Sequence, residues 1–265
     1  MTINDVLIFD TETTGVPERT ATWDKDYNDY PHIVQLSWVR HLPNGMMISE
    51  SHIIFPDGWE IPQSATDVHG ITTEYAMEHG EPFGFVIEMF LKDALEAPLI
   101  CGHNIHFDTG IIKANILREL GKTYYDANEV ENALYKGKRI DTMRPTMKWV
   151  DARTQDGRLK FPRLEELYSR CFPGETFGAH DSLEDCRAVY RCLPVILDLG
   201  LIELKVKEYP AEQTEIQFPK PEKGPNLNVK PEDDKLPVQE PNVRENENKP
   251  EITGKIADLL EQDNF

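Results

Sequence analysis

The feature that most restricts the fold of this chain is a short apolar run near its start, at residues 6–9 (VLIF). Consecutive apolar side chains without polar alternation predict a strand that is buried on both faces of a sheet. Two β-rich runs follow at residues 32–40 and 46–55, and the Asn44-Gly45 pair between them is typical of a hairpin turn. The sequence therefore predicts antiparallel strands at the start, with a packing layer on each face of the first.

The remainder of residues 1–205 alternates between strand and helix signals. Strand-like segments lie at 98–102 and 138–142, and helical periodicity runs through 107–120, 163–171 and 182–199. Gly121 is predicted to end the first of these helices. Strands that alternate with helices favour parallel pairing. The predicted fold is therefore α/β, with a mixed sheet of three antiparallel and then two parallel strands, flanked by helices.

The helix predicted at 182–199 carries signals at its start and in its interior. Asp181 is the predicted N-cap, and Glu184 is its predicted partner in a capping box. Pro194 lies inside the helix and is predicted to bend or shorten it, because proline lacks the backbone N–H that a helix interior uses.

The composition excludes several classes of protein. A net charge of −19 argues against a protein that coats long nucleic acids, because phosphate binding needs Lys and Arg to displace counterions. An enzyme that grips a few nucleotides through metal ions remains compatible with this charge. The four cysteines form no C-x-x-C pair, which disfavours a zinc site or a disulfide framework. The sequence also lacks a recognisable signal peptide and a membrane-spanning run, so we expect a cytoplasmic protein with no membrane partner.

The composition changes near residue 206, which predicts a folded domain at 1–205 and a separate tail. Residues 206–251 are acidic, rich in proline and poor in large apolar side chains, so they are predicted to form a disordered, flexible linker. The segment 213–218 (QTEIQF) interrupts this linker. Residues 252–265 have apolar side chains at helical spacing, which is typical of a helix that folds on a partner or of an isolated, frayed terminal helix.

Two carboxylates, Asp10 and Glu12, follow the first predicted strand. Side chains alternate along a strand with a period of two, so both leave its end on the same side. Close anions repel each other strongly unless a cation lies between them, and the pair is therefore compatible with a metal site. The small turn Thr13-Thr14-Gly15 lets backbone N–H groups approach a ligand. The alternative is an exposed strand end without function, since this pattern is common by chance.

Two further polar clusters lie where predicted helices begin. Residues 103–108 (HNIHFD) follow a predicted strand and place Asp108 in the first turn of a helix. Residues 180–185 (HDSLED) place His180 ahead of the last helix and Asp185 one turn inside it, so both can reach one point beyond its N-terminus. The alternatives are a first-turn acid that is matched to the helix dipole, and a surface histidine.

Together these residues resemble the three motifs of the DEDDh exonuclease family. The first motif is matched by Asp10-Thr11-Glu12, the second by His103-Asn104 with Phe107-Asp108, and the third by His180 with Asp185. The spacing of five between His180 and Asp185 is typical of this branch and separates it from a related, tyrosine-bearing branch. Residues 61–72 resemble the family's segment between the first two motifs, and the likeness covers roughly residues 5–200.

The resemblance implies an RNase H-like fold and a 3′→5′ exonuclease that releases nucleoside 5′-monophosphates. It also implies two Mg²⁺ (or Mn²⁺) ions. Asp10 would bind both ions, Glu12 and Asp185 would complete the site of one, and Asp108 would hold the other. His180 would deprotonate the attacking water. The residues expected to contact the terminal nucleotide are Thr13, Thr14, Gly15, Val68, His69, Asn104 and Phe107. Packing in the core is the alternative for Val68 and Phe107.

The tail bears on the question of which exonuclease this is. Gln213, Ile216 and Phe218 are spaced as in bacterial sliding-clamp-binding peptides, although so short a pattern also arises by chance. The order of nuclease, clamp peptide, linker and terminal segment resembles the epsilon-type proofreading subunits of bacterial DNA polymerase III. That likeness implies a single-stranded DNA 3′ end as substrate, and a DNA polymerase subunit and a sliding clamp as partners.

Other functions remain open. An exoribonuclease of the same fold would act on RNA, and a catalytically inactive nuclease fold would serve as an adaptor through its tail. Residues 122–138 and 149–162 look like longer loops than a minimal exonuclease requires, and they are candidate specificity elements.

Overall fold

A computed structural model describes residues 5–203 of the chain. The linker predicted at 206–251, the candidate clamp peptide at 213–218 and the terminal segment at 252–265 lie outside these described residues. Within residues 5–203, no helix has the length and apolar character that are needed to cross a membrane.

The centre of the domain is a mixed five-stranded sheet with the strand order β3-β2-β1-β4-β5. The strands are β1 (Val6–Thr13), β2 (Ile33–His41), β3 (Met47–Ile53), β4 (Ile100–Gly102) and β5 (Arg139–Asp141). β1 pairs antiparallel with β2, and β2 pairs antiparallel with β3. β4 pairs parallel with both β1 and β5. The predicted mixed sheet of three antiparallel and two parallel strands, with its RNase H-like arrangement, is confirmed.

Nine helices connect and cover the strands in the described part of the chain. They are α1 (Gln63–His69), α2 (Thr73–His79), α3 (Phe83–Glu96), α4 (Ile105–Glu119), α5 (Gly121–Ala127), α6 (Val130–Ala133), α7 (Met143–Val150), α8 (Leu164–Cys171) and α9 (Ser182–Asp198). Short 3-10 turns lie at Tyr27–Asp29 and Lys136–Lys138. The sequence predicted α4, α8 and α9, and it missed the helices that lie between β3 and β4.

Two helix layers bury β1 from opposite sides. Leu7 and Phe9 pack in one apolar cluster with α3 and α4, whereas Val6 and Ile8 pack in a second cluster with α8 and α9. All four side chains are at most 1% exposed, as the uninterrupted apolar run predicted. Because side chains alternate between the two faces of a strand, Asp10 and Glu12 project to the same face as Val6 and Ile8.

The prediction of long loops at 122–138 and 149–162 is wrong for the first segment. Residues 122–138 are mostly helical, and the side chains of Tyr125 and Val130 are buried in the core. α4 ends one residue before the position that the sequence suggested, and Gly121 begins α5 rather than only ending α4. Its φ of +79° lies in the left-handed region, which permits the sharp change of direction between the two helices. Residues 151–162 form an irregular connection that is tied by an isolated bridge between Arg153 and Leu159.

The start of α9 follows its predicted cap in part. The Asp181 carboxylate accepts hydrogen bonds from the backbone N–H groups of Leu183, at 3.0 Å, and Glu184, at 3.2 Å. The Glu184 carboxylate instead bonds Arg187, one turn further along the helix. Of the two effects predicted for Pro194, a bend or a shortened helix, the structure contradicts the shortening, because α9 continues beyond Pro194 to Asp198.

Candidate active site

The first two predicted site residues lie at the carboxyl end of β1. Asp10 is the register partner of Ser37 in β2, and Glu12 is the register partner of Gln35. Register partners in an antiparallel pair project to the same face of the sheet, so these four side chains share the face that α9 covers. The ladder is irregular between Glu12 and Thr13, where the strand begins to turn.

The start of α9 is anchored on the same polar positions of β2. The hydroxyl groups of Ser182 and Ser37 are 2.6 Å apart, and the backbone N–H of Ser182 donates to Gln35 Oε1 at 3.3 Å. Ser182 is fully buried, so water does not compete for these bonds. The anchor fixes the beginning of α9 beside Asp10 and Glu12.

This placement brings residues from the first and the third predicted motif together. One ligand atom each from Glu12, His180 and Asp185 lies within 4.8 Å of the other two. Such a group can surround a single small ion. The sequence had predicted that His180 and Asp185 reach one point beyond the start of α9, and the family resemblance had placed Glu12 with Asp185. The structure brings all three residues together.

Asp108 reaches the site from the opposite helix layer. It lies in the first turn of α4, as predicted, and is only 2% exposed. Its Oδ1 accepts hydrogen bonds from the Thr11 hydroxyl at 2.8 Å and from the Thr11 backbone N–H at 3.2 Å. Thr11 lies between Asp10 and Glu12 in the strand, so the two bonds tie Asp108 to the first motif.

Burial and repulsion from nearby carboxylates raise the pKa of all four carboxyl groups. Burial contributes most to Asp10, whose pKa lies well above its ordinary value, and the neighbouring carboxylates raise it further. The pKa of Glu12 rises to about 8 through burial and then the charges of Asp185 and Asp108. Burial also raises the pKa of Asp108 and Asp185 to about 7, although hydrogen bonds from Thr11 and from the His180 backbone oppose the two shifts. A cation among these groups would remove the repulsion.

The donor set fits a hard divalent cation. Four carboxylates supply oxygen ligands, which suit Mg²⁺ or Mn²⁺ and not the thiolate-rich sites that zinc favours. Asp185 Oδ1 is buried and has no hydrogen-bond partner among residues 5–203. A buried, unpartnered carboxylate oxygen beside other acids is the arrangement that a metal ligand requires.

His180 borders the carboxylate cluster and is open to solvent. Its side chain is 52% exposed, and Nε2 lies 3.6 Å from Glu165 Oε1 in α8. Its φ of +70° is in the left-handed region, which is uncommon for a residue with a side chain. Residues with strained backbone conformations of this kind are concentrated at functional sites in proteins. An exposed ring at the edge of a carboxylate cluster can exchange protons with water there.

The turn Thr13-Thr14-Gly15, which is predicted to contact the terminal nucleotide, is shaped by hydrogen bonds of its own. Thr14 bonds the chain at His32, through its backbone N–H at 3.0 Å and its hydroxyl at 2.9 Å, which fixes the turn after β1. The Thr13 hydroxyl donates to the Gly15 carbonyl oxygen at 2.6 Å. These bonds give the turn a defined shape rather than leaving it as a loose strand end.

The other predicted contacts divide into exposed and packed groups. Val68 in α1 is 53% exposed, so core packing does not explain it. His69 lies within electrostatic range of His180, and burial lowers its pKa. Phe107 packs partly against the core formed with α3 and α4. Asn104 has a φ of +69° and donates its backbone N–H to Asp141 Oδ1 at 3.1 Å, which joins the start of α4 to the end of β5.

Three supporting interactions were not predicted from the sequence. The sequence identified Thr11 only as the middle residue of the first motif. In the structure its hydroxyl donates a hydrogen bond to Asp108. Glu165 lay inside a predicted helix without a signal that linked it to His180. The hydrogen bond between Ser37 and Ser182 joins residues that are 145 positions apart, and no local sequence pattern predicts it.

Comparison with known proteins agrees with the geometry. Residues 7–193, which hold every predicted metal ligand, match the exonuclease family RNase T. The chain belongs to this exonuclease family. This membership confirms the DEDDh-type 3′→5′ exonuclease family that the three motifs resemble.

The matches to related proteins cover part of this chain and a smaller part of each relative. A PolC-type DNA polymerase III from Pediococcus pentosaceus is 28% identical over 144 residues, which are 52% of this chain and 9% of that protein. Exonuclease I from Methylocaldum szegediense has a TM-score of 0.56 at 20% identity, covering 74% of this chain and 41% of its own. Escherichia coli exonuclease I in complex with a dA16 oligonucleotide has a TM-score of 0.54 at 21% identity, covering 75% and 42%. This chain thus spans less than half the length of these relatives, and the two structures support the fold.

Proposed function

We propose that this chain is a metal-dependent 3′→5′ exonuclease that releases nucleoside 5′-monophosphates from single-stranded 3′ ends. The observation that carries the proposal is the convergence of Glu12, His180 and Asp185 within 4.8 Å, beside two further carboxylates. An adaptor with the same fold needs none of these groups. The raised pKa values of the four carboxyl groups make the cluster electrostatically costly without a cation, which favours a retained metal site over an inert one.

Four side chains would hold the two divalent ions. Asp10 would bridge them, Glu12 and Asp185 would complete one site, and Asp108 would serve the other from its place against Thr11. Bound there, the ions would supply charge stabilisation for the attacking hydroxide and the leaving 3′-oxygen. The protein contributes the positions of the ligands, which the anchor between Ser182 and β2 fixes on one side.

His180 would act as the general base. Its ring is exposed and borders the carboxylates, so it can take the proton of the attacking water and pass it to solvent. Glu165 lies 3.6 Å from Nε2 and would stabilise the protonated ring that results.

The terminal nucleotide would lie between the turn after β1 and the end of α1. Thr13, Thr14 and Gly15 present backbone groups there, and Val68 presents an exposed apolar surface to a sugar or a base. The remaining predicted contacts are His69, at the end of α1, and Asn104 and Phe107, at the start of α4.

DNA proofreading with a replicative polymerase is the physiological role that we favour. The similarity to part of a PolC-type DNA polymerase III supports it, as does the epsilon-like order of nuclease, candidate clamp peptide and linker in the sequence. A net charge of −19 disfavours strong binding of DNA by the chain itself. Tethering to a polymerase in the cytoplasm would compensate, because a linked module needs little intrinsic affinity for DNA.

The first test compares labelled single-stranded DNA and RNA of identical sequence, with Mg²⁺ and with EDTA. We expect release of mononucleotides that depends on the metal and is at least about tenfold faster from DNA, because discrimination by one 2′-hydroxyl contact is worth one to a few kcal/mol. Faster release from RNA would support the exoribonuclease alternative. Absence of release from both substrates would support the adaptor alternative.

The candidate clamp peptide gives a separate prediction. Phe218→Ala is expected to lower affinity for a bacterial sliding clamp at least about tenfold, because a buried aromatic anchor dominates short-peptide binding. Isothermal calorimetry on the full chain measures this affinity. Activity on short oligonucleotides is expected to remain unchanged and serves as the control. Equal clamp affinity of the wild type and the variant would contradict the clamp proposal and leave the nuclease proposal intact.

A further inference from the structure

An exposed arginine at the start of α7 and an exposed aromatic ring form a pair. The guanidinium carbon of Arg144 lies 5.4 Å from the centroid of the Phe161 ring. The Arg144 side chain is 56% exposed, and Phe161 is 46% exposed. We call these two residues the Arg144–Phe161 pair.

The pair lies at the edge of the sheet that carries the active-site groups. Arg144 is in the first turn of α7, directly after β5, and β1, β4 and β5 run parallel to each other as neighbours. The carboxyl ends of parallel strands meet at one edge, where α/β proteins bind their ligands. β5 is two strand spacings from β1, which corresponds to roughly 10 Å at about 4.8 Å per spacing.

An ion pair and two hydrogen bonds connect the pair to the turn that begins α4. Arg144 Nε lies 3.5 Å from Asp141 Oδ2, and the other carboxylate oxygen of Asp141 accepts the Asn104 backbone N–H. On the other side, the Pro162 carbonyl oxygen lies 3.0 Å from His103 Nε2, which holds the chain next to Phe161. The pair is therefore fixed relative to α4, the helix that carries Asp108.

Structural roles account poorly for these two exposed side chains. The ion pair of Arg144 with Asp141 contributes little to stability, because its two atoms are 3.5 Å apart and the Arg144 side chain is mostly in water, although Asp141 is only 12% exposed. A phenylalanine ring with nearly half of its surface in water forgoes much of the free energy that burial would provide.

The chemistry of the pair matches a strand of nucleotides. Guanidinium groups bind phosphate through several N–H donors, and exposed aromatic rings stack on bases of any sequence. We propose that the Arg144–Phe161 pair binds the substrate strand upstream of the scissile bond, with Arg144 on a phosphate and Phe161 on a base. This subsite rests on the proposed exonuclease function.

The separation from β1 predicts a dependence on substrate length. Stacked nucleotides advance about 3.4 Å per residue along one strand, so roughly 10 Å corresponds to about three nucleotides, and fewer when the strand is extended. A dinucleotide that is cleaved at the carboxylates does not reach the pair. A dodecanucleotide reaches both residues.

The test measures KM and kcat of Phe161→Ala and Arg144→Gln on a dinucleotide and on a dodecanucleotide of DNA. We expect KM for the dodecanucleotide to rise about tenfold in Phe161→Ala, with kcat unchanged, since one stacked base contributes about 1–3 kcal/mol. Kinetics on the dinucleotide should stay at the wild-type values. For Arg144→Gln, the slope of log KM against log salt should decrease by about 0.7, which is the value for one phosphate contact on a single strand.

Matched control variants lie on the opposite helix layer. Lys122 in α5 is an exposed cation over the Tyr125 ring, and Phe85 in α3 is 55% exposed. Lys122→Gln and Phe85→Ala are expected to leave KM for the dodecanucleotide unchanged. Equal effects in the controls, an unchanged KM in both pair variants, or a loss of activity on the dinucleotide would overturn the proposed subsite.

Failure of the exonuclease proposal is distinguishable from failure of the subsite. Fluorescence anisotropy with a labelled dodecanucleotide reports the same contact without turnover. If the wild type binds the strand but releases no nucleotide, the proposed activity fails, and weaker binding by Phe161→Ala still supports the subsite. If the wild type releases nucleotides and the pair variants match it in KM and in binding, only the subsite fails.

Discussion

Replacing Asp10 with Asn is expected to abolish nucleotide release and, at the same time, to stabilise the metal-free protein. Asn keeps the shape of the side chain, but its amide carries no negative charge for a divalent cation. Asp10 would be a ligand of the proposed ions, so loss of its carboxylate would remove several kcal/mol of charge stabilisation, which corresponds to at least about a thousandfold fall in kcat. Single-turnover release of a labelled nucleotide with Mg²⁺ measures this loss.

The effect of Asp10→Asn on stability follows from the raised pKa of Asp10. A carboxyl group with a higher pKa in the folded than in the unfolded state binds more protons when folded, so its contribution to stability falls as pH rises above its ordinary value of 3.8. The metal-free wild type should therefore lose stability between about pH 4 and pH 8, as Asp10 and its neighbours ionise. The variant lacks one of these charges and should lose less.

Thermal unfolding of both proteins in EDTA, between pH 5 and pH 9, measures this difference. We expect the melting temperature of Asp10→Asn to exceed that of the wild type by several degrees at the alkaline end and to converge with it at the acidic end. Added Mg²⁺ should raise the melting temperature of the wild type more than that of the variant. Asp126→Asn, which removes a 63% exposed carboxylate on α5, is the control and should change neither activity nor the response to Mg²⁺. A lower melting temperature of the metal-free Asp10→Asn protein at pH 8 would contradict the electrostatic account.

Local sequence patterns predicted those parts of the molecule that local physics decides. The apolar run at 6–9 determined a strand that is covered on both faces, and the period of two placed Asp10 and Glu12 together. The cap at Asp181 marked the start of α9 to the residue. Each of these features depends on neighbours in sequence, so one chain without relatives is enough to reveal it.

The parts that could not be predicted depend on contacts between distant segments. α1 and α2 are seven residues each, too short for a helical period to stand out from irregular chain. Residues 122–138 are helical because Tyr125 and Val130 find space in the core beside α4, and that space is not visible in the segment itself. The hydroxyl of Thr11 became a support for Asp108 only through a contact across 97 positions.

The second large effect is expected at His180, and it should separate the general base from the metal ligands. His180→Gly removes the imidazole without backbone strain, because glycine accepts the φ of +70° that this position has. We expect kcat to fall by about 10²–10⁴-fold, which is the usual contribution of a general base, while KM changes little. The rise in melting temperature with Mg²⁺ should persist, in contrast to Asp10→Asn, since the four carboxylates remain.

Rescue by imidazole makes this prediction specific to proton transfer. The side chain of His180 is 52% exposed, so the space that His180→Gly leaves is open to a small molecule from solvent. Added imidazole should restore part of kcat in His180→Gly and should have no effect on Asp10→Asn, where a ligand and not a base is missing. His79→Gly, which removes an exposed histidine from the last turn of α2, is the control and should retain full activity. If His180→Gly keeps its activity within a few-fold, or if imidazole gives no rescue while Mg²⁺ still binds, the proton is taken by another group and the role assigned to His180 is wrong.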